Sequence, residues 1–121
     1  MPAMWKYLEA AVIVGGLLST RVARAQVVML LENDTVRVYQ ATIKAGTSTA
    51  EHTHALAHVT YVQRGGTLQI RRPNGPTDTL HLATGTAYWG KVETHTATNI
   101  GTTNVILIST DVKPLPARRS P

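Results

Sequence analysis

The chain has 121 residues, a length typical of one domain. Its residues are 43% hydrophobic and 16% charged, and this balance indicates a globular protein rather than an intrinsically disordered one. Cysteine is absent, which excludes disulfides and thiolate metal sites. A metal site in this chain would therefore use histidine, carboxylate or water ligands.

The first 25 residues are typical of a secretory signal peptide. Lys6 supplies a positive charge, residues 10–18 form an uncharged apolar run, and an Ala-Arg-Ala cleavage signal occupies residues 23–25. Such a run is too short to cross a bilayer, which takes roughly 20 apolar residues. We therefore expect residues 1–25 to be a cleaved signal segment, the mature protein to be periplasmic or secreted, and no stable membrane span to remain. The alternative is a short amphipathic helix that packs on the domain.

The charge of the chain does not favour a nucleic-acid partner. The net charge is +5, and residues 1–25 carry +2 of it, which leaves +3 for the remainder. Nucleic-acid binding normally needs a basic face interleaved with aromatic residues. Between the predicted signal segment and the tail, only the arginines at positions 64, 71 and 72 cluster. We expect no nucleic-acid binding.

After Gln26 the chain reads as short strands separated by turn signals, with no helical period of useful length. The predicted strands are Val27–Leu31, Val36–Ile43, His58–Gln63, Thr67–Arg71, Thr79–Leu82, Ala87–Val92, Thr94–Thr98 and Val105–Val112. Short strands at regular spacing predict an all-β sandwich or barrel. The proline-rich residues 114–121 predict a disordered tail.

Histidines carry the strongest chemical signal. His52 and His54 are two residues apart, so they point from one face of an extended strand. His58 could join them after a turn, and His95 is a distant fourth candidate. Histidine is the commonest metal ligand, and converging neutral imidazoles favour a metal site. His81 alternates with leucines outside this pattern, so we expect it not to be a ligand.

The sequence around these histidines resembles the two motifs of the cupin family. The first motif is a glycine, five residues, H-x-H, three or four residues, a glutamate, six residues and a glycine. Its counterparts here are Gly46, His52, His54, His58 and Gly65, with His58 in place of the glutamate. The second motif is matched by Gly85, His95 and Asn99, although Lys91-Val92-Glu93 replaces its Pro-x-Gly and the gap is one residue short.

The resemblance implies a small single-domain jelly-roll β-barrel over residues 26–113. It further implies a four-histidine site for a divalent transition metal, formed by His52, His54, His58 and His95. Iron, manganese, copper, nickel and zinc all suit imidazole ligands, so the metal stays open. Small cupins with four histidines and no glutamate are a known variant of the family, and cupins commonly form homodimers.

The function implied by the resemblance is that of a metal-dependent, dioxygenase-like oxidoreductase. Its ligand would be a small oxygen-bearing molecule that is anionic or enolisable. The alternatives are a non-catalytic exported protein that binds a metal or small molecule, and a metal-dependent isomerase or lyase. Tyr88 and Trp89 could line the cavity or serve in core or interface packing. Glu51 and Glu93 lie near proposed ligands, but a solvated surface role is favoured for each.

Overall fold

A computed structural model describes residues 21–22, with the backbone alone, and residues 25–117 with their side chains. Most of the predicted signal segment and the last four residues of the predicted tail lie outside the described residues. The strands are β1 (Arg21–Val22), β2 (Gln26–Glu32), β3 (Val36–Ile43), β4 (Thr47–Ser48), β5 (His52–His54), β6 (His58–Arg64), β7 (Gly66–Arg71), β8 (Thr77–Leu82), β9 (Ala87–Gly90), β10 (Glu93–Asn99) and β11 (Val105–Val112). Within this part of the chain there is no helix, and hence no helix that could span a membrane.

Two sheets face each other. The first has the strand order β1-β4-β10-β7-β8, with β5 also paired to β10. The second has the order β2-β3-β11-β6-β9. Every pairing is antiparallel except that of β1 with β4. The predicted all-β architecture is therefore confirmed.

The predicted strands are largely confirmed, with one correction at β9. β3 and β11 occupy the predicted ranges Val36–Ile43 and Val105–Val112. The prediction that a strand runs to Val92 was wrong, because β9 ends at Gly90. Its partner β6 begins at His58, which is opposite Gly90, so no further ladder bonds are available.

Two motif glycines permit turns that other residues would strain. Gly46 has a φ angle of 74° and Gly85 one of 85°. These values lie in the left-handed region, which glycine adopts without the penalty that a Cβ atom brings. Gly46 turns the chain from β3 towards β4 and β5, so it directs the histidine stretch onto the first sheet.

The motif asparagine has a structural role. Asn99 is fully buried and donates hydrogen bonds from its side-chain nitrogen to the carbonyls of Ile43, at 2.9 Å, and Thr103, at 2.8 Å. Its side-chain oxygen accepts a hydrogen bond from the Gly101 amide at 3.0 Å. Asn99 thereby fixes the turn between β10 and β11.

The apolar core lies between the sheets. The second sheet contributes Ile43, Val62, Val105 and Leu107, and the first contributes Leu68, Ile70 and Ala97. These side chains fill one end of the space between the sheets, and burial of their apolar surface is the main stabilising contribution expected there.

Inward-facing residues of the second sheet form rows across neighbouring strands. One row is apolar and comprises Ala41, Leu107 and Val62. The next, which we call the hydroxyl row, comprises Tyr39, Ser109, Thr60 and Tyr88. The last comprises Arg37, Asp111, His58 and Gly90. Polarity thus rises along the barrel towards the end that carries His58.

A buried ion pair closes this polar end. Asp111 is 1% exposed, and its Oδ2 accepts hydrogen bonds from Arg37 Nε at 3.0 Å and Nη2 at 2.7 Å. Two donors on one guanidinium satisfy a carboxylate oxygen that has lost its hydration. The pair ties β3 to β11 next to His58.

We predict that Asp111→Asn lowers the free energy of unfolding by about 3 kcal/mol, because it leaves the mostly buried Arg37 without its counter-charge. Glu32→Gln is the matched control. It removes one partner of the exposed ion pair between Glu32 and Lys113, whose N–O distance is 3.0 Å. Exposed pairs contribute less than about 1 kcal/mol. Urea denaturation of both variants measures the difference, and equal losses would contradict the prediction.

Candidate metal centre

Three histidines converge at the polar end of the barrel. β5 carries His52 and His54 on one face, and antiparallel pairing sets His95 of β10 opposite His52. One ligand atom from each ring lies within 4.8 Å of those from the other two. The ring centroids are 4.6 to 4.9 Å apart. The prediction that His52 and His54 lie on one face of a strand is therefore confirmed.

His58 lies beside this group without belonging to it. Its ring stacks on that of His54 with centroids 4.7 Å apart, and its Nδ1–H donates to the Leu56 carbonyl at 2.9 Å. The ring occupies the space that a side chain at residue 90 would fill, since a Cβ on Gly90 would come within 2.0 Å of His58 Nε2. His58 thus packs beside the group because its strand neighbour is glycine.

Hydrogen bonds fix the tautomers of two of the three converging histidines. A carbonyl or carboxylate oxygen only accepts, so the Nδ1 atom that faces it carries the proton. His52 Nδ1–H donates to the Ala50 carbonyl at 2.9 Å, and His95 Nδ1–H donates to Glu93 Oε2 at 2.5 Å. In both rings Nε2 then carries the lone pair that a metal requires.

Glu93 belongs to a chain of charged groups behind His95. Its Oε2 accepts from Arg72 Nε at 3.2 Å, and Arg72 Nη1 contacts Asp78 Oδ2 at 2.5 Å. Burial acts to raise the pKa of Glu93, but the hydrogen bond from His95 and the Arg72 charge lower it overall. The expectation of a solvated surface role for Glu93 was therefore wrong. Arg72 and Asp78 were not predicted as site residues, although Arg72 follows Leu68 and Ile70 in the same period-two alternation.

Burial keeps the converging imidazoles neutral. It lowers the pKa of His52 to about 4 and that of His54 to about 3, and it also lowers the pKa of His95. Neutral imidazole is the form that binds metals, so these rings do not need to lose a proton at neutral pH. Three neutral nitrogen donors with a hydrogen-bonded carboxylate behind one of them fit a divalent transition metal.

Comparisons with known proteins identify the fold. No protein-family model and no curated protein matches the sequence. Among solved structures, a cupin domain from Bordetella pertussis Tohama I is similar with a TM-score of 0.72 and 22% identity, over 79% of this chain and 100% of that one. This chain has the cupin fold. A cupin-like protein from Thermotoga maritima is similar with a TM-score of 0.58 and 18% identity, over 74% of this chain and 69% of that one.

A further similar structure carries a name that states an activity. It is the DMSP lyase DddQ from Ruegeria pomeroyi, with a TM-score of 0.58 and 15% identity, over 79% of this chain and 50% of that one. This chain therefore spans half the length of that protein. The similarity between the two proteins is one of fold.

In the cupin fold of this chain, a cavity of about 480 Å³ lies between the two sheets. The four histidines line its polar end, and Leu68, Ile70, Leu80 and Ala97 line a wall on the first sheet. Tyr88 and Trp89 both line it, although Trp89 is 61% exposed. Arg72 and Lys91 are the cations in the lining. The volume suits a small molecule.

The remaining candidates lie away from the cavity. Glu51 is exposed, and His81 is an exposed residue of β8 opposite Thr67. Neither lines the cavity or belongs to the group of three histidines found among the described side chains. Glu51 supplies a control variant for Glu93, and His81 supplies one for the site histidines, because the same substitution can be made there outside the site.

We predict that Glu93→Gln weakens divalent metal binding by about tenfold, since it removes the charge that polarises His95 and anchors Arg72. Glu51→Gln removes an equivalent charge from the surface and should leave the affinity unchanged. Isothermal titration of Zn(II) into both metal-free variants measures the effect, with circular dichroism as the check on folding. A wild-type dissociation constant in folded Glu93→Gln would contradict the role assigned to Glu93.

Proposed function

We propose that this protein is a metal-dependent, dioxygenase-like oxidoreductase that acts on a small oxygen-bearing molecule, either anionic or enolisable. The observation that carries the proposal is the convergence of His52, His54 and His95 at the polar end of the cavity. Their donor set, their neutral state and the carboxylate behind His95 favour a divalent transition metal. Iron, manganese, copper, nickel and zinc all remain compatible with imidazole ligands.

The proposal includes His58 as a fourth ligand. It occupies the motif position at which cupins usually have a glutamate, and its ring stacks on His54. Four imidazoles are all neutral, whereas a glutamate would offset one unit of the metal charge. A site of this composition keeps its full positive charge and favours anionic ligands.

The chain itself binds, orients and shields the substrate. A bound divalent metal would supply Lewis acidity and, where redox-active, electrons for dioxygen chemistry. Arg72 and Lys91 place positive charge in the lining and attract anions. Burial raises the pKa of Tyr88, so its hydroxyl stays protonated and serves as a hydrogen-bond donor to the substrate. The apolar wall excludes water from the opposite side of the cavity.

A metal-dependent lyase or isomerase is the second candidate, because a solved structure of similar fold is named as a lyase. It would use the same histidines and a protonated Tyr88 without consuming dioxygen. A non-catalytic binding protein is the third, and it would take up the small molecule without turnover. Fold alone does not separate these classes.

We also propose a homodimer and a periplasmic or secreted location. The dimer is supported by edge strand β2, on which Val28, Leu30 and Leu31 are each about half exposed. Long apolar edge strands readily pair with a second chain. The location rests on the sequence of residues 1–25. The mass in solution and the N-terminal sequence of the exported protein check these two proposals.

We predict that protein loaded with Fe(II) or Mn(II) consumes dioxygen in step with substrate when screened against 1,3-dicarbonyls, 2-oxo acids and catechols. An oxygen electrode and product analysis provide the measurement. His52→Ala should abolish uptake, whereas His81→Ala, which changes an exposed histidine, should retain it. Product formed without oxygen uptake would support the lyase or isomerase, and binding without product would support the non-catalytic protein.

We predict that His58→Ala weakens Mn(II) or Fe(II) binding by at least about tenfold, because losing a direct ligand should cost at least as much as losing its hydrogen-bond partner. His58→Glu should retain the metal, but its added negative charge should weaken the binding of anionic ligands. Isothermal titration of the metal-free variants measures both effects. Wild-type affinity in His58→Ala would reduce the site to three histidines.

A further inference from the structure

One wall of the cavity is the hydroxyl row of Tyr39, Ser109, Thr60 and Tyr88, of which the proposed function uses Tyr88 alone. Strand pairing sets Ser109 opposite both Tyr39 and Thr60, and it sets Thr60 opposite Tyr88. The Thr60 and Ser109 hydroxyl oxygens are 3.0 Å apart. All four side chains line the cavity. The row is therefore one band of hydroxyls that crosses four strands.

The band is inside the protein and retains hydrogen-bonding capacity. Thr60 is 1% exposed and Ser109 is 5% exposed. A hydroxyl has one donor and two acceptor lone pairs, and a contact between two hydroxyls uses one donor and one lone pair. Lone pairs thus remain along the band. Tyr88 is its least buried member and stands at the outer end of the row, on edge strand β9.

Much of the opposite wall of the cavity is apolar. Leu68, Ile70 and Ala97 of the first sheet are at most 4% exposed, and their side chains offer no donor or acceptor. A molecule that fills the space between the two walls meets hydrogen-bonding groups on one side and hydrocarbon on the other. Such a cavity selects a body that is mainly apolar and carries few polar groups.

The charged lining residues lie outside the hydroxyl row, and the carboxylate of Asp78, opposite Ile70 on β8, is paired with Arg72. Arg72 is bonded to Glu93 beside His95, and Lys91 follows the end of β9. In the row next to the hydroxyls, Arg37 and Asp111 neutralise each other. A carboxylate of a ligand placed against the hydroxyl row would lose its hydration without gaining a cation, which is costly. A neutral hydroxyl, which can donate to the remaining lone pairs, would not incur that cost.

The spacing of the rows sets the distance between the two ends of such a ligand. Thr60 lies two residues beyond His58 on β6. At about 3.3 Å per residue along a strand, the hydroxyl row begins roughly 6–7 Å from the histidine end. A ligand that reaches both needs oxygen atoms at about that separation.

We propose that the hydroxyl row is a subsite for an uncharged oxygen at the far end of the substrate. The inference rests on the proposed function, since the near end is the anionic or enolisable group held at the histidines. The substrate class is then a small carboxylate or enol with an apolar ring or chain and a second, neutral hydroxyl. A dicarboxylate fits this subsite poorly.

Three benzoates test the subsite. Benzoate, 4-hydroxybenzoate and terephthalate share a carboxylate on an apolar ring, and they differ at the far end by hydrogen, hydroxyl and a second carboxylate. Ligand-observed NMR titrations of Zn(II)-loaded protein give their dissociation constants. We expect 4-hydroxybenzoate to bind about fivefold more tightly than benzoate, the factor that one neutral hydrogen bond typically provides. Terephthalate should bind more weakly than 4-hydroxybenzoate.

Matched variants locate the effect. Tyr88→Phe and Thr60→Val remove hydroxyls of the row and should reduce the preference for 4-hydroxybenzoate over benzoate to within about twofold. Tyr61→Phe and Thr110→Val make the same changes on adjacent positions of β6 and β11 that do not line the cavity, and they should keep the preference. If Thr60→Val does not fold, Tyr88→Phe alone decides.

The outcomes separate this inference from the proposed function. It is overturned if wild-type protein shows no preference for 4-hydroxybenzoate, including the case in which neither acid binds. It is also overturned if the preference survives in the row variants, or if terephthalate binds as tightly as 4-hydroxybenzoate. The same titrations on metal-free protein test the metal requirement separately. If removing Zn(II) leaves every dissociation constant unchanged while the variants still lose the preference, the subsite stands and the metal chemistry falls.

Discussion

The candidate site depends on one short strand pairing, that of β5 with β10. β5 has three residues, and its register with β10 sets His52 opposite His95 and His54 opposite Glu93. A slip by one residue would turn both β5 histidines away from the cavity, because side chains alternate along a strand. Glu93 lies two residues before His95 on β10, and the pairing of β10 with β7 brings Arg72 to it, so the ligand geometry and its supporting charges depend on the register of β10 with both neighbours. The barrel around them serves largely to hold that register.

The interior has a gradient of polarity rather than a uniform core. Hydrocarbon fills one end, the hydroxyl row follows, and the ion pair and histidines occupy the other end. A fully apolar interior would be more stable, since buried polar groups must find partners to offset lost hydration. The retained hydroxyls and charges in this gradient therefore identify the part of the barrel that is available for binding.

Much of the fold could be predicted because β3 and β11 are rich in β-branched residues and flanked by turn signals. The pair His52 and His54 could be placed on one face from their spacing alone. The inward-facing side of β6 could not be predicted, because apolar residues occur on both faces of this strand. Its apolar Val59 and Tyr61 are 39% and 45% exposed, while His58 and Thr60 face inward. The hydroxyl row depends on Thr60, rather than Val59 or Tyr61, facing the interior. The link from Arg72 through Glu93 to His95 depends on pairing between distant strands, which local periodicity does not reveal.

The absence of a side chain at Gly90 has a consequence for the position of His58. The imidazole of His58 takes the volume that any other residue at this position would claim, and a methyl group there would overlap Nε2 at 2.0 Å. Relief of that overlap needs a displacement of at least about 1 Å, enough to move the ring relative to its stacking partner. Residue 90 therefore controls the position of the His58 ring by leaving free the volume that the ring occupies. A glycine-to-alanine change at this edge would thus move the fourth histidine of the cavity while leaving the sequence of the three converging histidines intact.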